Sequence, residues 1–312
     1  MRVAVMGAGG LGGYYGGLLA RAGLDVAFVA RGDHLAAMRA GGLTVRSEYA
    51  GQFNRPVRAT DDPRQIGPVD LVLFCVKNYD LEAAAAAIRP LVGSETVVLP
   101  VLNGVDAVER IGRIVGAEHV LPGVCYVASR VDAPGVVVQG GMSGKLFLGE
   151  LGGGTSARAG RIADLLASAG ALVEVHPAVD VALWEKMVGV CPAGGVMALM
   201  RLPIGPVMAC PEARAFFRAT MDEVETVARA RGVPLPDGCA DRLFGMISQQ
   251  KPWYRSSMLT DLLGGRRLEL DWLNGAVVRL GRERDVATPA NAAIYAALKP
   301  YADGAPELPS PP

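Results

Sequence analysis

The 312-residue chain has no excess charge, only three histidines and no cysteine pairing pattern, and each shortage excludes a class of function. Lysine plus arginine equal aspartate plus glutamate at 31 each, so no basic field exists to hold nucleic acid or an anionic membrane. No apolar run reaches the roughly 18 residues of a membrane span. The apolar start carries glycines and reads as a strand rather than a signal peptide. Cys75, Cys125, Cys191, Cys210 and Cys239 are odd in number and lack metal-ligand spacing. Most of them are expected to be small core residues, in a reduced, cytoplasmic protein without a metal site. His34, His119 and His176 form no constellation that suggests catalysis. The length allows two domains and a sizeable core.

Glycine, by contrast, is plentiful at 40 residues, and its most informative cluster stands at the start. Residues 3–6 read as a buried parallel strand that runs into Gly7-Ala-Gly-Gly-Leu-Gly12. Gly7 permits a tight turn, Gly9 lets backbone approach a pyrophosphate, and Gly12 lets the following helix pack against the strand. That helix, Leu11 to about Ala22, would aim free N–H groups and its positive end at the anion. A second strand, Asp25–Ala30, stands where a dinucleotide-binding unit needs one. An NAD site places an acid near its tip to hold the ribose 2′-OH. Here the strand ends in Arg31, whose guanidinium suits a 2′-phosphate, although Asp33 is close and a solvated arginine is the plainer alternative. The pattern favours NADP(H).

The first half alternates strands and helices, predicting a Rossmann-type, doubly wound parallel sheet in an α/β fold. Strands are expected at Leu43–Arg46, Val57–Ala59, Val69–Val76, Thr96–Leu102, Val120–Ala128, Val136–Gln139, Lys145–Gly149 and Ala171–Val175. Pro134-Gly135 is expected to turn Val120–Ala128 into Val136–Gln139. Helices are expected at His34–Ala40, Leu81–Ile88, Ala107–Val115 and Ala157–Ala169. Strand periodicity ends near residue 177, and helical spacing continues through Val181–Met200, Pro211–Arg231, Cys239–Gln249 and Glu269–Arg282. The expected division is residues 1–177 for the cofactor, an all-helical domain over 178–304 that closes over the cofactor cleft, and a disordered tail over 305–312.

Ligands of doubly wound sheets bind beyond the carboxyl ends of the strands. Lys77 and Asn103 follow two such ends; each could contact a ligand, or serve as a surface lysine and an ordinary turn. In the helical half, Leu183-Trp-Glu-Lys-Met187 puts Lys186 in apolar surroundings. Lone helical lysines usually extend to solvent, but a lysine in an apolar cleft is a stronger acid. With no histidine placed to act as an acid, a lysine gains weight in that role. Glu269 would share a helical face with Leu273, or else pair with Arg266 or Arg267.

Seven segments in order make the chain similar to the ketopantoate reductase (2-dehydropantoate 2-reductase) family, over nearly its full length to about Pro300. They are Gly7–Gly12, Val29-Ala-Arg-Gly-Asp-His-Leu35, Cys75-Val-Lys77, Leu102-Asn-Gly104, Leu183-Trp-Glu-Lys186, Ser256-Ser-Met-Leu-Thr-Asp261 and Glu269-Leu-Asp-Trp-Leu-Asn-Gly275. The resemblance implies a small-molecule 2-oxo acid substrate, with NADPH giving hydride to the C2 keto carbon of 2-dehydropantoate to form pantoate for coenzyme A synthesis. It implies that Lys186 protonates the developing alkoxide and that Asn103 contacts both cofactor and substrate. It further implies cofactor contacts from the Gly7, Ala8, Gly9, Gly10, Leu11 and Gly12 turn, Arg31, Lys77, the Ser129 backbone and Glu269, with Ser257 holding the substrate. A homodimer through the helical part is compatible with it.

The chain departs from the family on the substrate side. Two family asparagines that grip the substrate, one and two turns after the lysine, are Val190 and Gly194 here, and a third falls at Ile204 or Gly205. Each lost partner of a polar substrate costs about 1–3 kcal/mol. Pro192 also removes a helix N–H nearby and should kink that helix. Three readings follow: a ketopantoate reductase, a reductase of a bulkier or less polar carbonyl compound, and a non-catalytic NADP(H)-binding redox sensor. Retention of Lys186, Asn103, Ser257 and Glu269 speaks against the sensor.

Overall fold

A computed structural model describes residues 1–141 and 144–306; the expected tail falls outside the described residues from 307 onward. The chain divides into two compact units. The first comprises Met1–Leu102 and Asp106–Ala182, and the second comprises Asn103–Val105 and the chain from Leu183 on.

In the first unit the elements run β1 (Arg2–Met6), α1 (Gly10–Arg21), β2 (Asp25–Val29), α2 (Gly32–Gly41), β3 (Leu43–Ser47), β4 (Gly51–Arg55), β5 (Arg58–Thr60), β6 (Val69–Phe74) and α3 (Leu81–Ala87). They continue with β7 (Val92–Pro100), α4 (Ala107–Val115), β8 (Gly123–Tyr126), β9 (Ser129–Ala133), β10 (Val136–Gln139), β11 (Lys145–Leu148), α5 (Ala157–Ser168) and β12 (Val173–Val175). The main sheet has five strands in the order β5-β2-β1-β6-β7, all parallel. The order reverses at β1, so β1 and β6 flank the switch point where such sheets bind ligands. Side chains alternate across this sheet. Val3 and Val5 join Leu71, Leu73, Leu18 and Leu19 on one face, while Ala4 joins Val72, Phe74, Leu81 and Ile88 on the other. Both faces are buried, which explains why β1 and β6 read as apolar runs without a polar alternation.

Two further sheets correct the expectation of a single one: a four-stranded sheet β4-β3-β10-β9 and a three-stranded sheet β12-β11-β8. Pro134-Gly135 turns β9 into β10, an antiparallel pair, whereas β8 pairs with β11. Strand β9 escaped notice because four of its five residues are exposed, leaving no apolar period. Strand β4, equally polar, was missed for the same reason. Strand β7 starts at Val92, through Gly93-Ser94-Glu95, rather than at Thr96. The extra sheet gives helix α1 two neighbours. A Cβ at Gly16 would lie 2.5 Å from Phe28 of β2, and Cβ atoms at Gly13 and Gly17 would meet Val137 of β10 and Val45 of β3 at 2.6 and 2.7 Å. Each interior glycine costs a helix roughly 0.5–1 kcal/mol relative to alanine, a penalty offset here by close approach to two layers.

Helix α6 (Val179–Met200) starts in the first unit and passes into the second after Ala182. There follow α7 (Ile204–Ala209), α8 (Pro211–Ala230), α9 (Cys239–Ser248), α10 (Ser257–Leu263), α11 (Asn274–Arg282) and α12 (Pro289–Leu298). Helix α8 buries Phe217, Met221, Val224, Val227 and Ala228 at helical spacing. Its Glu223 carboxylate accepts the N–H groups of Ala290 and Asn291 at 2.7 and 2.9 Å, fastening the start of α12. Helix α6 runs through Pro192 without interruption, although proline cannot supply the i→i−4 bond. The expected helix over Glu269–Arg282 begins only at Asn274, after a 3₁₀ turn at Leu270–Trp272. Apolar residues at 270, 273 and 277 keep helical spacing, so the break at Leu273 (φ −109°, ψ −97°) was not visible in the pattern.

Candidate active site

The glycine turn is latched by backbone hydrogen bonds. The N–H groups of Gly7 and Ala8 both donate to the Val29 carbonyl at 3.2 Å, tying the turn to the end of β2. The first bond of α1 runs from Gly13 N–H to the Gly9 carbonyl at 2.7 Å, so the amides of Gly10, Leu11 and Gly12 precede it, as anion-binding amides do. The glycines differ in what forces them. Gly7 has φ +92°, a left-handed conformation disfavoured for other residues. A Cβ on Gly12 would run into the Gly7 carbonyl and stand 2.8 Å from Val5, and one on Gly10 would lie 2.5 Å from the Ser129 carbonyl. A Cβ on Gly9 would meet nothing within 4 Å. The turn is therefore crowded on the protein side and open at Gly9.

Four residues of the first unit stand near this turn in the fold, at strand ends or in contact with it. Lys77 follows β6 at the switch point and precedes a 3₁₀ turn at Asn78–Asp80. Arg31 immediately precedes α2; its side chain is 84% exposed and its Nη2 lies 2.7 Å from Oδ2 of Asp80. Ser129 opens β9 against Gly10, and its Oγ is buried with no hydrogen-bond partner among the described residues. His34, which the sequence reading set aside, is part of the support. Its Nε2 lies 2.9 Å from the Ala8 carbonyl, and its Nδ1 accepts the Gly135 N–H at 3.0 Å. Acceptance at Nδ1 leaves Nε2–H to donate to Ala8, so one imidazole ties the turn to the β9–β10 loop. The signal lay in the sequence at Arg-Gly-Asp-His34, but Gly135, about a hundred residues away, did not point to it.

These residues fit a phosphorylated dinucleotide. The orphaned Ser129 hydroxyl needs a partner that the described residues do not supply. The open Gly9 face admits a pyrophosphate, and the exposed Arg31 guanidinium suits a further phosphate.

Asn103, Lys186, Ser257 and Glu269 all belong to the second unit. Lys186 lies half-buried on α6 between the buried Trp184 and Met187. One and two turns on, Val190 is half-exposed and Gly194 is buried. A Cβ on Gly194 would make ordinary contact, at 3.6 Å, with Leu273 and Met258. The two adjacent serines have separate tasks. Ser256 is buried and caps α10 by accepting the Leu259 N–H at 3.1 Å, which leaves Ser257 exposed on the first turn. Glu269 is 6% exposed and stands outside any α-helix, correcting the expectation that it shares a helical face with Leu273. Arg266 pairs with Asp261 at 2.9 Å and Arg267 with Asp303 at 3.3 Å.

The reading of the sequence also missed a buried amide pair behind this face. Asn274 Nδ2 donates to Asn291 Oδ1 at 3.0 Å, and Asn291 Nδ2 donates to Glu223 at 2.7 Å. Gly195 makes room for it, since a Cβ there would lie 2.5 Å from Asn274 Oδ1. Among the described residues no cluster of three or more His, Cys, Asp or Glu could hold a metal, and no helix is long and apolar enough to cross a membrane. Burial pushes the thiols of Cys75 and Cys191 far above the ordinary range, so neither is a ready nucleophile.

The comparisons cover both units. Residues 3–153 match the model described as ketopantoate reductase PanE/ApbA, and residues 178–302 match its C-terminal counterpart. A 2-dehydropantoate 2-reductase of Mesorhizobium japonicum is 33% identical over 96% of this chain and 97% of its own. An uncharacterised oxidoreductase of Bacillus subtilis is 28% identical over 96% of this chain and 99% of its own. The crystal structure of a PanE/ApbA-family ketopantoate reductase from Ralstonia eutropha superposes with a TM-score of 0.90 at 36% identity, covering 96% of this chain and 98% of that one. With the glycine turn at the switch point of its parallel sheet, the chain belongs to the ketopantoate reductase family, oxidoreductases that act on CH–OH groups with NADP(H).

Proposed function

We propose that this protein is an NADPH-dependent reductase of a 2-oxo acid, with 2-dehydropantoate, reduced to pantoate, as its family-level substrate. The observation that carries the proposal is the glycine turn, open at Gly9 and crowded at Gly10 and Gly12. When bound, the cofactor supplies a hydride to the keto carbon. The Gly7–Gly12 backbone and the start of α1 bind the pyrophosphate, Arg31 binds the 2′-phosphate, and Lys77, Ser129 and Glu269 complete the cofactor contacts. Lys186 acts as the acid: its ammonium stabilises charge on the substrate oxygen and then gives up the proton that makes the hydroxyl. Asn103 contacts cofactor and substrate, and Ser257, exposed beside its capping neighbour, holds the substrate.

A second reading has its own support. Val190 and Gly194 offer no hydrogen bond where the family has asparagines, and the space at Gly194 is bordered by Met258 and Leu273. A 2-oxo acid with a larger, less polar side group suits that surface better than a hydroxylated one. The test is to follow loss of reduced-nicotinamide absorbance with NADPH and NADH against 2-dehydropantoate and a series of branched and aryl 2-oxo acids. Faster NADPH-dependent turnover of 2-dehydropantoate supports the family-level substrate, and a preference for the apolar series supports the second reading. No turnover of any 2-oxo acid refutes both.

A further inference from the structure

The main sheet places β2 and β6 on either side of β1, so anything joining their carboxyl ends spans the mouth of the glycine turn. An ion pair among the described residues makes such a link. Arg31, two residues beyond β2, and Asp80, in the turn after β6, form an ion pair at 2.7 Å. Asp80 stands at the N-cap of α3, a position where aspartate ordinarily accepts a helix N–H, yet its side chain makes no capping bond. Its carboxylate is turned instead to the guanidinium that the proposed function assigns to the 2′-phosphate.

We infer that Asp80 sets the cofactor selectivity of this enzyme by competing with the 2′-phosphate for Arg31. The inference rests on the reading of Arg31 given above. A phosphate that reaches Arg31 must break or share the ion pair, and it brings two negative charges close to a third. NADH carries only a hydroxyl there and incurs neither penalty; the carboxylate can even accept its hydrogen bond, as an acid does in NAD sites. An exposed ion pair is weak, so the phosphate still wins through bidentate, charge-assisted contacts. Asp80 therefore lowers the preference for NADPH without reversing it.

The test measures dissociation constants of NADPH and NADH by nucleotide fluorescence in the intact protein, for wild type, Asp80→Asn and Arg31→Gln, and the ligand-free melting temperature of each. Asparagine keeps the capping option and the size but removes the charge; Asp80→Ser serves in its place if the first variant melts early. Asp80→Asn is expected to tighten NADPH about three- to tenfold and to change NADH less than about twofold, and Arg31→Gln to weaken NADPH at least about tenfold. A normal loss in Arg31→Gln together with unchanged or weaker NADPH binding in Asp80→Asn overturns the role of Asp80 alone. Equal tightening of both nucleotides also overturns it. NADPH binding untouched by Arg31→Gln overturns the assignment of Arg31, and this inference with it.

Discussion

The glycine turn and the face of α6 beyond Lys186 both depend on glycine, but for opposite reasons. At Gly10 and Gly12 any side chain would collide with protein, so the residue type is dictated by close backbone approach. At Gly194 a Cβ has ordinary neighbours at 3.6 Å, so crowding does not explain the glycine. The first region uses glycine to build a contact that every dinucleotide shares. The second leaves a side chain out, and under the proposed function that would change what a substrate meets.

The largest effect should come from chemistry rather than binding. Lys186→Ala is expected to lower kcat by roughly 10²–10⁴-fold, with the NADPH dissociation constant changed less than about twofold. Steady-state kinetics and fluorescence titration separate the two quantities, and a matching loss in both would make Lys186 a binding residue. Next come the glycines of the turn. Gly12→Ala should destabilise the fold by about 1–3 kcal/mol, visible as a lower melting temperature, because its Cβ meets Gly7 and Val5. Gly9→Ala should melt near the wild-type temperature but bind NADPH at least about tenfold more weakly, or about 1.4 kcal/mol. Equal melting losses in both variants would erase the distinction between the crowded and open sides.

On the α6 face, Gly194→Asn and Val190→Asn introduce hydrogen-bonding groups, and the Cβ at residue 194 makes only ordinary contacts. Together they should shift kcat/KM toward 2-dehydropantoate, relative to an apolar 2-oxo acid, by about tenfold or more, given about 1–3 kcal/mol for each paired group. No shift in that ratio would mean that these positions do not contact the substrate. The smallest effect lies away from both regions. Arg158 hydrogen-bonds the Glu150 carboxylate at 2.7 and 2.5 Å and holds its pKa below the usual range. The pair contributes stability above the unfolded carboxyl value near pH 4.3, and loses it as pH falls through the lower folded value. Glu150→Gln should therefore lower the melting temperature at pH 7 by an amount worth at most about 1 kcal/mol. The gap to wild type should close below about pH 4.

How much of this was legible in the sequence follows from where the information sits. Strands β1 and β6 are buried on both faces, so their apolar runs announced them, and Gly7–Gly12 announced the turn between β1 and α1. Strands β4 and β9 have polar, mostly exposed sequences and owe their existence to pairing with β3 and β10, which no local pattern records. Glu269 was placed on a helix because Leu270, Leu273 and Val277 keep helical spacing through a break in the backbone. His34 and the Asn274–Asn291 pair were invisible for a simpler reason: their meaning lies in partners 101 and 17 residues away. Lys186 stood out only weakly among its apolar neighbours, and its role as an acid came from the family resemblance rather than from local pattern.

The most direct test of the account is transfer of a label. NADPH carrying deuterium at the reactive ring carbon would be incubated with the protein and 2-dehydropantoate or the best apolar 2-oxo acid, and the product analysed by mass spectrometry and NMR. The account predicts deuterium on C2 of the 2-hydroxy acid, one per molecule formed, with the yield lost in Lys186→Ala. A 2-hydroxy acid without deuterium, or NADPH bound and never consumed with any 2-oxo acid, would contradict it.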